Sequence, residues 1–284
     1  MLVYLGKIRR LIGELYALFF ITDFKTFARY VWAIVIGIPA IIRVGDLGPA
    51  SQKMIGRNYA FTISGKQAVL RGEDFGRATE LYARGVYNAL PEFRLHDGMG
   101  VIVDLGANVG DFTVLAAKFA KKVIAVEADK ALIETIRENA RLNGVEDKII
   151  PVRAIIGARS GMFADPKIKE RFFHGDVPPS ILFRELLEKN GVRDVDFVKI
   201  DIEGSEFDLF KHEIDSFANV KLISMEAHTP FMVHGNEVSC GDIQELKSIF
   251  EHAGFKVWLV DVNGRVVKEI KGQAGYLFAK NLKF

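Results

Sequence analysis

A glycine-rich turn between two apolar strands constrains the fold of this chain more than any other feature. Residues 101–110 read Val-Ile-Val-Asp-Leu-Gly-Ala-Asn-Val-Gly, and a helix over 112–120 leads to a second strand over 123–127. This order of elements forms half of a nucleotide-binding α/β unit. Glu127 ends the second strand, where its carboxylate can accept hydrogen bonds from both hydroxyls of a ribose.

The glycine spacing differs from the dinucleotide fingerprint, which requires the pattern G-x-G-x-x-G. Gly106 and Gly110 are four positions apart, and Asn108 stands between them. Glycine permits close backbone approach, and Asn tolerates the left-handed conformation better than most residues. The turn therefore suits S-adenosylmethionine (SAM), which has an adenosine and a methionine tail but no phosphate. It resembles the first motif of class I SAM-dependent methyltransferases; the alternative is a turn that merely packs a helix on a strand.

Two further strand ends extend the resemblance. Residues 199–206 read Lys-Ile-Asp-Ile-Glu-Gly-Ser-Glu, and residues 223–228 read Ile-Ser-Met-Glu-Ala-His. Together with the turn at 104–110, in this order and at these distances, they resemble the FkbM-type family of class I SAM-dependent methyltransferases. The resemblance runs from about residue 80 to the C-terminus, and it implies that SAM is the cofactor.

Alternation of strands and helices from residue 100 onward predicts a mostly parallel sheet covered on both faces. Strands are expected near 101–105, 123–127, 149–156, 195–202, 220–227, 255–262 and 274–280, and helices near 112–120, 129–143, 180–190, 204–213 and 240–253. A turn at 262–265 predicts that the last two strands form a hairpin. We therefore expect an α/β fold: a Rossmann-like class I methyltransferase sheet of seven strands over residues 97–284, after an N-terminal helical and hairpin extension over 1–96.

The first part of that extension is apolar. The runs 15–21 and 30–42 are each shorter than the about 20 residues that a membrane span needs, because charged residues interrupt them. Lys7, Arg9 and Arg10 can contact an anionic membrane surface. Three interpretations of residues 1–42 stay open: packing in the core or against a second subunit of a homo-oligomer, peripheral membrane contact, and a membrane span or anchor.

The second part, residues 56–96, is expected to form a cap. Residues 60–70 predict a hairpin with Ser64 and Gly65 at the turn, and residues 75–90 predict a helix. In the FkbM-type pattern a tyrosine precedes the first motif at about this distance, so the resemblance gives Tyr87 contact with SAM or the acceptor. The alternative is an aromatic side chain packed between cap and sheet.

The overall composition gives no sign of a nucleic-acid-binding protein. Charged residues make up 26% of the 284 residues and the net charge is only +2. The single cysteine, Cys240, excludes an intramolecular disulfide and a cysteine zinc site. We therefore expect a cytoplasmic protein with possible membrane association, and no nucleic-acid partner.

The resemblance assigns the cofactor site residue by residue. It implies that Asp104 anchors the methionine amino end, Glu127 the ribose, and Ala154, at the end of the third strand, the adenine. Asp201 ends the fourth strand and faces the methyl donor. The predicted cofactor-binding residues are thus Asp104, Gly106, Asn108, Gly110, Glu127, Ala154, Asp201 and Tyr87.

The predicted catalytic residues are His228, Asp201 and Glu226. Glu226 and His228 are two apart in the fifth strand and therefore share one face of it. A histidine near its ordinary pKa of about 6.5 accepts a proton at neutral pH. We predict that His228 is the general base and that Glu226 orients it, while Asp201 holds the sulfonium side or the acceptor hydroxyl. These three side chains can also gather a divalent cation, but no tight ligand spacing demands one, and we predict no metal.

The most specific functional hypothesis is a SAM-dependent O-methyltransferase that acts on a hydroxyl of a glycan, a lipid-linked sugar or a natural product. Two alternatives stay open: an RNA methyltransferase, and a non-catalytic SAM-binding or scaffold protein. Against RNA, no N/D-P-P-Y-type tetrapeptide follows the fourth strand, and the basic residues are not clustered with aromatic ones.

Overall fold

A computed structural model describes residues 2–44, 47–71, 75–157, 166–228, 231–233, 236–238, 240–270 and 274–284. The helices are α1 (Leu2–Ile21), α2 (Phe24–Val44), α3 (Gly48–Gln52), α4 (Phe75–Thr79), α5 (Asp111–Phe119), α6 (Lys130–Leu142), α7 (Pro166–Phe172), α8 (Phe183–Lys189), α9 (Glu206–Glu213) and α10 (Ile243–His252). The strands are β1 (Tyr59–Ile63), β2 (Lys66–Leu70), β3 (Met99–Leu105), β4 (Ala120–Glu127), β5 (Ile149–Arg153), β6 (Val195–Ile200), β7 (Val220–His228), β8 (Phe231–Val233), β9 (Asn236–Val238), β10 (Phe255–Val260), β11 (Val266–Val267) and β12 (Ala274–Asn281).

Eight of these strands form the main sheet, in the order β11-β10-β12-β7-β6-β3-β4-β5. The pairs β7–β6, β6–β3, β3–β4 and β4–β5 are parallel, whereas β12 is antiparallel to both β7 and β10. The predicted fold class is confirmed: this is an α/β fold with a Rossmann-like, mostly parallel sheet. Because β10 runs in the same direction as β7, the carboxyl ends of β3, β4, β6, β7 and β10 all lie at one edge, where open α/β sheets bind ligands.

The end of the sheet departs from the sequence expectation in one respect. The turn at residues 262–265 does not join the last two long strands but leads from β10 into β11, an eighth strand of two residues. The Asp261 side chain accepts hydrogen bonds from the backbone N–H of Asn263 and of Arg265, which closes this turn locally. The strand β12 then inserts on the other side of β10, between β10 and β7.

The N-terminal extension packs against one face of the sheet. The hairpin of β1 and β2 turns at Ser64 and Gly65, both with positive φ, as expected. Phe61 is fully buried and stacks on Tyr82, with ring centroids 4.5 Å apart. Buried side chains of the extension and of β3, β4 and α5 belong to one continuous apolar cluster. The division at residue 97 into two domains stays a prediction.

The expected helix over residues 75–90 is interrupted. The helix α4 continues into a wider helical turn at Glu80–Arg84, and Gly85 then adopts a left-handed conformation with φ of 61°. A short turn at Val86–Asn88 follows and carries Tyr87. Glycine reaches this conformation without the steric cost that other residues incur, so it ends the helix before the sequence pattern does.

The apolar N-terminus also differs from expectation, because α2 is a 21-residue helix that includes Lys25 and Arg29 in its first turns. Among the described residues, one helix, α2, is long and apolar enough to cross a membrane, judged by its length and composition. The expectation of insufficient length was therefore wrong for the run 30–42, whereas the run 15–21 lies in the shorter apolar stretch Ile12–Ile21. The side chains of Lys7, Arg9 and Arg10 lie outside the described part of the structure, so their contacts stay a prediction.

Asn139 in α6 offers a test of how the hairpin is attached to the sheet. Its side chain is fully buried; Nδ2 donates to the Val109 carbonyl (2.8 Å), and Oδ1 accepts from the Arg71 backbone N–H (2.9 Å). Asn139→Ala leaves both backbone groups without this partner and should lower the free energy of unfolding by about 1–3 kcal/mol in urea denaturation. Arg137→Ala, on the exposed side of the same helix, should change it by less than about 0.5 kcal/mol. Equal effects of the two substitutions would contradict the assignment.

Candidate active site

The site begins where the turn after β3 meets the turn after β6. Gly106 has φ of 75°, and a Cβ atom added there would lie only 1.7 Å from the Asp201 carbonyl oxygen. Glycine is thus the residue that lets these two backbones touch. Asn108 has φ of 49°, in agreement with the tolerance argued from its residue type. Gly110 also has positive φ, and a Cβ there would lie 3.1 Å from Ile136 of α6.

Glu127 closes the other side of this turn. One of its oxygens accepts from the Asn108 N–H (2.8 Å), and the other accepts from the N–H groups of Ala128 and Asp129 (2.7 and 2.9 Å). Burial raises the pKa of Glu127, and these hydrogen bonds oppose the rise. The carboxylate is therefore fixed in orientation, and its remaining lone pairs can accept from a diol.

A cleft runs from Glu127 along the ends of β4, β5 and β6. Its wall near Glu127 is apolar and includes Ala154 and Ile155, whereas Asp201 and Glu203 line the far end. The cleft thus offers an acid that suits a ribose, an apolar wall that suits an adenine, and carboxylates that suit the positively charged end of SAM. The residue types present fit this cofactor.

Asp104 is placed differently from the rest of the predicted cofactor site. It is fully buried; Oδ1 lies 3.1 Å from Lys199 Nζ, and Oδ2 accepts from the Thr113 hydroxyl (2.6 Å). Lys199 also donates to the Gly106 carbonyl (2.7 Å). Since Asp104 is held by these groups beneath the turn, its contact with the methionine amino end stays a prediction.

Arg77, from the cap helix α4, was not identified from the sequence. Its guanidinium lies 3.0 Å from Asp201 Oδ2 and 3.5 Å from Asp111 Oδ2. Burial alone would raise the pKa of Asp201, but the charges of Lys199, Arg77 and His228 hold it below its ordinary value. Asp201 is therefore ionised at neutral pH and bound to the cap.

Tyr87 brings two of the predicted site residues together. Its hydroxyl lies 3.1 Å from Asp201 Oδ2 and 3.3 Å from Glu226 Oε2. Burial and then the negative charge of Asp201 raise the pKa of Glu226 to about 7. The pair of acids thus consists of one permanent carboxylate and one that exchanges its proton near neutrality.

The environment of His228 differs from the one in which Glu226 would orient a neutral imidazole. His228 Nδ1 lies 3.2 Å from Oε1 of the fully buried Glu206, whereas Nε2 is 3.7 Å from Glu203 and 4.0 Å from Glu226. Burial lowers the pKa of an imidazole, but Glu206, Asp201 and Glu226 outweigh it and raise the pKa of His228 to about 10. His228 therefore carries a proton at neutral pH. Glu206 stands at the end of the 199–206 motif, which is the only sequence signal that pointed to it.

A cation is one more ligand that this edge can accommodate. Among the described residues, Asp201, Glu203 and His228 place ligand atoms within 4.8 Å of one another. Glu203 reaches this position with φ of 54°, a strained value for a glutamate. The absence of a metal from the function stays a prediction.

Residues 104–257 match the family model for the methyltransferase FkbM domain. A curated relative, tRNA (guanine(37)-N(1))-methyltransferase Trm5b of Methanocaldococcus jannaschii, is 44% identical over 52 residues, which are 18% of this chain and 15% of that protein. The chain therefore matches only a short part of the curated relatives' length.

Two solved structures are similar at low sequence identity. A precorrin-6y C5,15-methyltransferase from Geobacter metallireducens has a TM-score of 0.40 and 16% identity, with 70% of this chain and 88% of that chain covered. TrmK of M. capricolum, in complex with S-adenosyl-homocysteine, has a TM-score of 0.40 and 10% identity, with 66% and 64% covered.

The protonation of His228 predicts a pH dependence of stability. Because its pKa is higher in the folded protein than in the unfolded chain, the folded state binds one more proton between about pH 6.5 and 10. The free energy of unfolding should therefore fall across this range, by up to about 1.4 kcal/mol per pH unit from this group. Urea denaturation of His228→Gln should give a flatter pH dependence than the wild type.

His252→Gln is the matched control, because His252 is exposed on α10. This variant should keep the wild-type slope. If His228→Gln also keeps the wild-type slope, the carboxylate partners do not raise the pKa of the imidazole and the argument fails.

Proposed function

This chain belongs to the methyltransferase FkbM domain family, with SAM as its cofactor, and on that premise we propose that it transfers the methyl group of SAM to a hydroxyl of a glycan or a lipid-linked sugar. The observation that carries the proposal is Glu226, a carboxyl group with a pKa of about 7 beside Tyr87 and Asp201. Methylation of a hydroxyl requires that its proton leave, and a base is most effective when its pKa lies near the working pH.

The cleft supports one orientation of SAM. Glu127 would accept the ribose hydroxyls, and Ala154 and Ile155 would contact the adenine. Asp201 and Glu203 would then lie near the sulfonium and the ammonium group, while Arg77 is positioned to pair with the methionine carboxylate. When bound, SAM supplies an electrophilic methyl group on a positively charged sulfur.

The proton would go to Glu226. In its ionised form Glu226 can accept the proton of the acceptor hydroxyl. The Tyr87 hydroxyl, 3.3 Å from Glu226 Oε2, can hold the acceptor oxygen in line with the methyl group of SAM. His228 remains an imidazolium in this scheme, so its role becomes electrostatic: its charge keeps Asp201 ionised and opposes the rise of the Glu226 pKa. This differs from the general-base role that the sequence suggested for it.

A larger cavity at the same edge supports a polar acceptor. It measures about 540 Å³ and lies between α1, the turn at Glu80–Arg84 and the end of β10. Glu14, Arg84, Asn263 and Arg265 line it with polar groups, and Tyr276 forms its inner wall. Tyr276 is paired with Glu226 in the register of β12 and β7, and its ring lies 5.8 Å from that of Tyr87. This volume and lining fit one or two sugar rings.

RNA is the second candidate acceptor, because the curated relative Trm5b is named as a tRNA methyltransferase. The net charge of +2 offers little electrostatic attraction for a polyanion. Incubation with labelled SAM and either total RNA or polar lipid and glycan extracts separates the two. Label in RNA alone would overturn the glycan proposal and leave the methyltransferase assignment intact.

The ribose acid is tested by calorimetric binding of SAM and S-adenosylhomocysteine. Glu127→Gln replaces an acceptor oxygen with a donor and should weaken binding of both at least about tenfold. Glu138→Gln, on the surface of α6, should bind like the wild type. Unchanged affinity in Glu127→Gln, with thermal unfolding also unchanged, would remove Glu127 from the cofactor site.

The proton acceptor is tested by Glu226→Gln in single-turnover assays on an extract that the wild type methylates. The rate of methyl transfer should fall by about 10²–10⁴-fold, while SAM affinity stays within about threefold. The wild-type rate should rise with pH around a midpoint of about 7, because the carboxylate is the active form. A variant that keeps both the rate and this pH profile would exclude Glu226 as the base.

A further inference from the structure

The helices α1 and α2 expose an unusual amount of apolar surface. Of the twenty large apolar side chains exposed in the described residues, eleven belong to residues 12–44. They are Ile12, Tyr16, Phe19, Phe20, Phe24, Trp32, Val35, Ile36, Ile38, Ile42 and Val44, and we call them the N-terminal apolar surface. Contiguous exposed apolar patches of this kind mark sites that another apolar phase covers.

We propose that the N-terminal apolar surface docks in the plane of an anionic lipid bilayer, with α2 lying along the bilayer surface and not across it. This inference goes beyond the proposed methyl transfer and does not depend on it. It concerns a binding surface for lipid, for which the described residues supply the geometry, the residue types and the charges.

The packing of α2 explains why it lies in the plane of the membrane. One stripe of the helix, made of Thr26, Tyr30, Ala33 and Gly37, is buried against the rest of the protein. The Tyr30 ring lies 4.6 Å from that of Phe75. At 1.5 Å per residue the stripe runs for about 16 Å along the helix. A spanning helix would have to leave the protein along that whole length, whereas an interfacial helix keeps one face on the protein and the other in lipid.

The exposed side of α2 has the residue types of an interfacial helix. Trp32 is 63% exposed, and Ile42, near the end of the helix, is 77% exposed. Tryptophan and tyrosine favour the level of the lipid headgroups, where one end of the ring is apolar and the other is wet. The window of α2 that is apolar enough to cross a membrane is only 17% buried, so it is not the core helix of a globular protein.

The charges around the surface favour an anionic bilayer over a second copy of the chain. Residues 12–44 contain two acidic side chains, Glu14 and Asp23, and three basic ones, Lys25, Arg29 and Arg43, which stand at the two ends of α2. Glu14 is paired with Arg84, and the Asp23 carboxylate accepts hydrogen bonds from Thr26 in the first turn of α2. Basic side chains close to an anionic lipid surface are attracted to it. A symmetric dimer through the same surface would instead surround one apolar interface with the basic residues of both subunits.

The location of the surface has a consequence for the acceptor. Ile12 and Tyr16 belong to the N-terminal apolar surface, while Gly13 and Glu14, on the same turn of α1, line the cavity of about 540 Å³. Docking would hold that cavity beside the headgroups. A sugar attached to a membrane lipid would then reach the cavity without its lipid leaving the bilayer; this step rests on the proposed function.

The experiment is co-sedimentation of the full chain with phosphatidylcholine vesicles, with and without phosphatidylglycerol. The wild type should bind, and phosphatidylglycerol should strengthen binding. Val35→Glu/Ile38→Glu places two charges on the exposed face and should lower the partition coefficient at least about tenfold. Leu142→Glu, at an equally exposed leucine on α6, should bind like the wild type.

In a Trp258→Phe background, Trp32 emission should shift to shorter wavelength on binding and be quenched by brominated lipid.

Three results would overturn the inference. The first is a wild type that binds neither kind of vesicle. The second is a Val35→Glu/Ile38→Glu variant that binds like the wild type. The third is a wild-type dimer in solution that this variant converts to a monomer without any vesicle binding, which would assign the surface to a second copy. SAM affinity of the variant, measured in the absence of vesicles, reports its folding and separates failure here from failure of the methyltransferase site.

Discussion

The buried ion pair of Lys199 and Asp104 is the interaction on which the site depends. Lys199 is 1% exposed, and its ammonium group reaches Asp104, the Gly106 carbonyl and the face of the Tyr87 ring, 5.4 Å away. An unpaired ammonium at this depth would be strongly unfavourable, so each of these contacts stabilises the buried group. The ammonium group of Lys199 therefore connects β6, on which it lies, to β3 and to the turn between β3 and α5. The glycine turn and the cap tyrosine are thus positioned by the same group.

The same charge organises the acids at the sheet edge. Asp201 and Glu226 lie close enough to share contact with Tyr87, and like charges at such distances disfavour double ionisation. Lys199 and Arg77 stabilise the charge of Asp201, whereas burial and then the negative charge of Asp201 raise the pKa of Glu226 to about 7. The two carboxyl groups thus differ in their pKa values: Asp201 stays ionised at neutral pH, whereas Glu226 can accept a proton there. This separation is a physical reason to prefer Glu226 over the protonated His228 as the base.

Sequence reasoning was most successful where local pattern determines structure. Buried parallel strands read as apolar runs, and the acids at their ends meet at one edge because parallel strands end together, so Asp201, Glu226 and His228 were expected in one place. It failed where partners come from distant segments. No sequence pattern near Arg77 predicts that it pairs with Asp201, 124 residues later. Glu206, and not Glu226, is the carboxylate within hydrogen-bond distance of His228, because α9 directs it toward the imidazole. The break at Gly85 and the two-residue β11 were not predicted for a related reason. Elements of two to five residues are too short for their hydrophobic periodicity to be recognised in the sequence.

The cap segment over residues 75–88 links the proposed methyl-transfer site to the N-terminal apolar surface. Arg84 pairs with Glu14 of α1 at 3.3 Å and with Glu80 at 3.1 Å, and Glu80 contacts the Tyr276 hydroxyl at 3.3 Å. The other side of the same segment supplies Arg77 and Tyr87 to Asp201. A displacement of α1 at a bilayer would therefore act first on the Glu14–Arg84 pair and then on Tyr276, which lines the cavity of about 540 Å³. Glu80 and Arg84 lie in a π-helical turn, a rare geometry that is frequently found at functional sites.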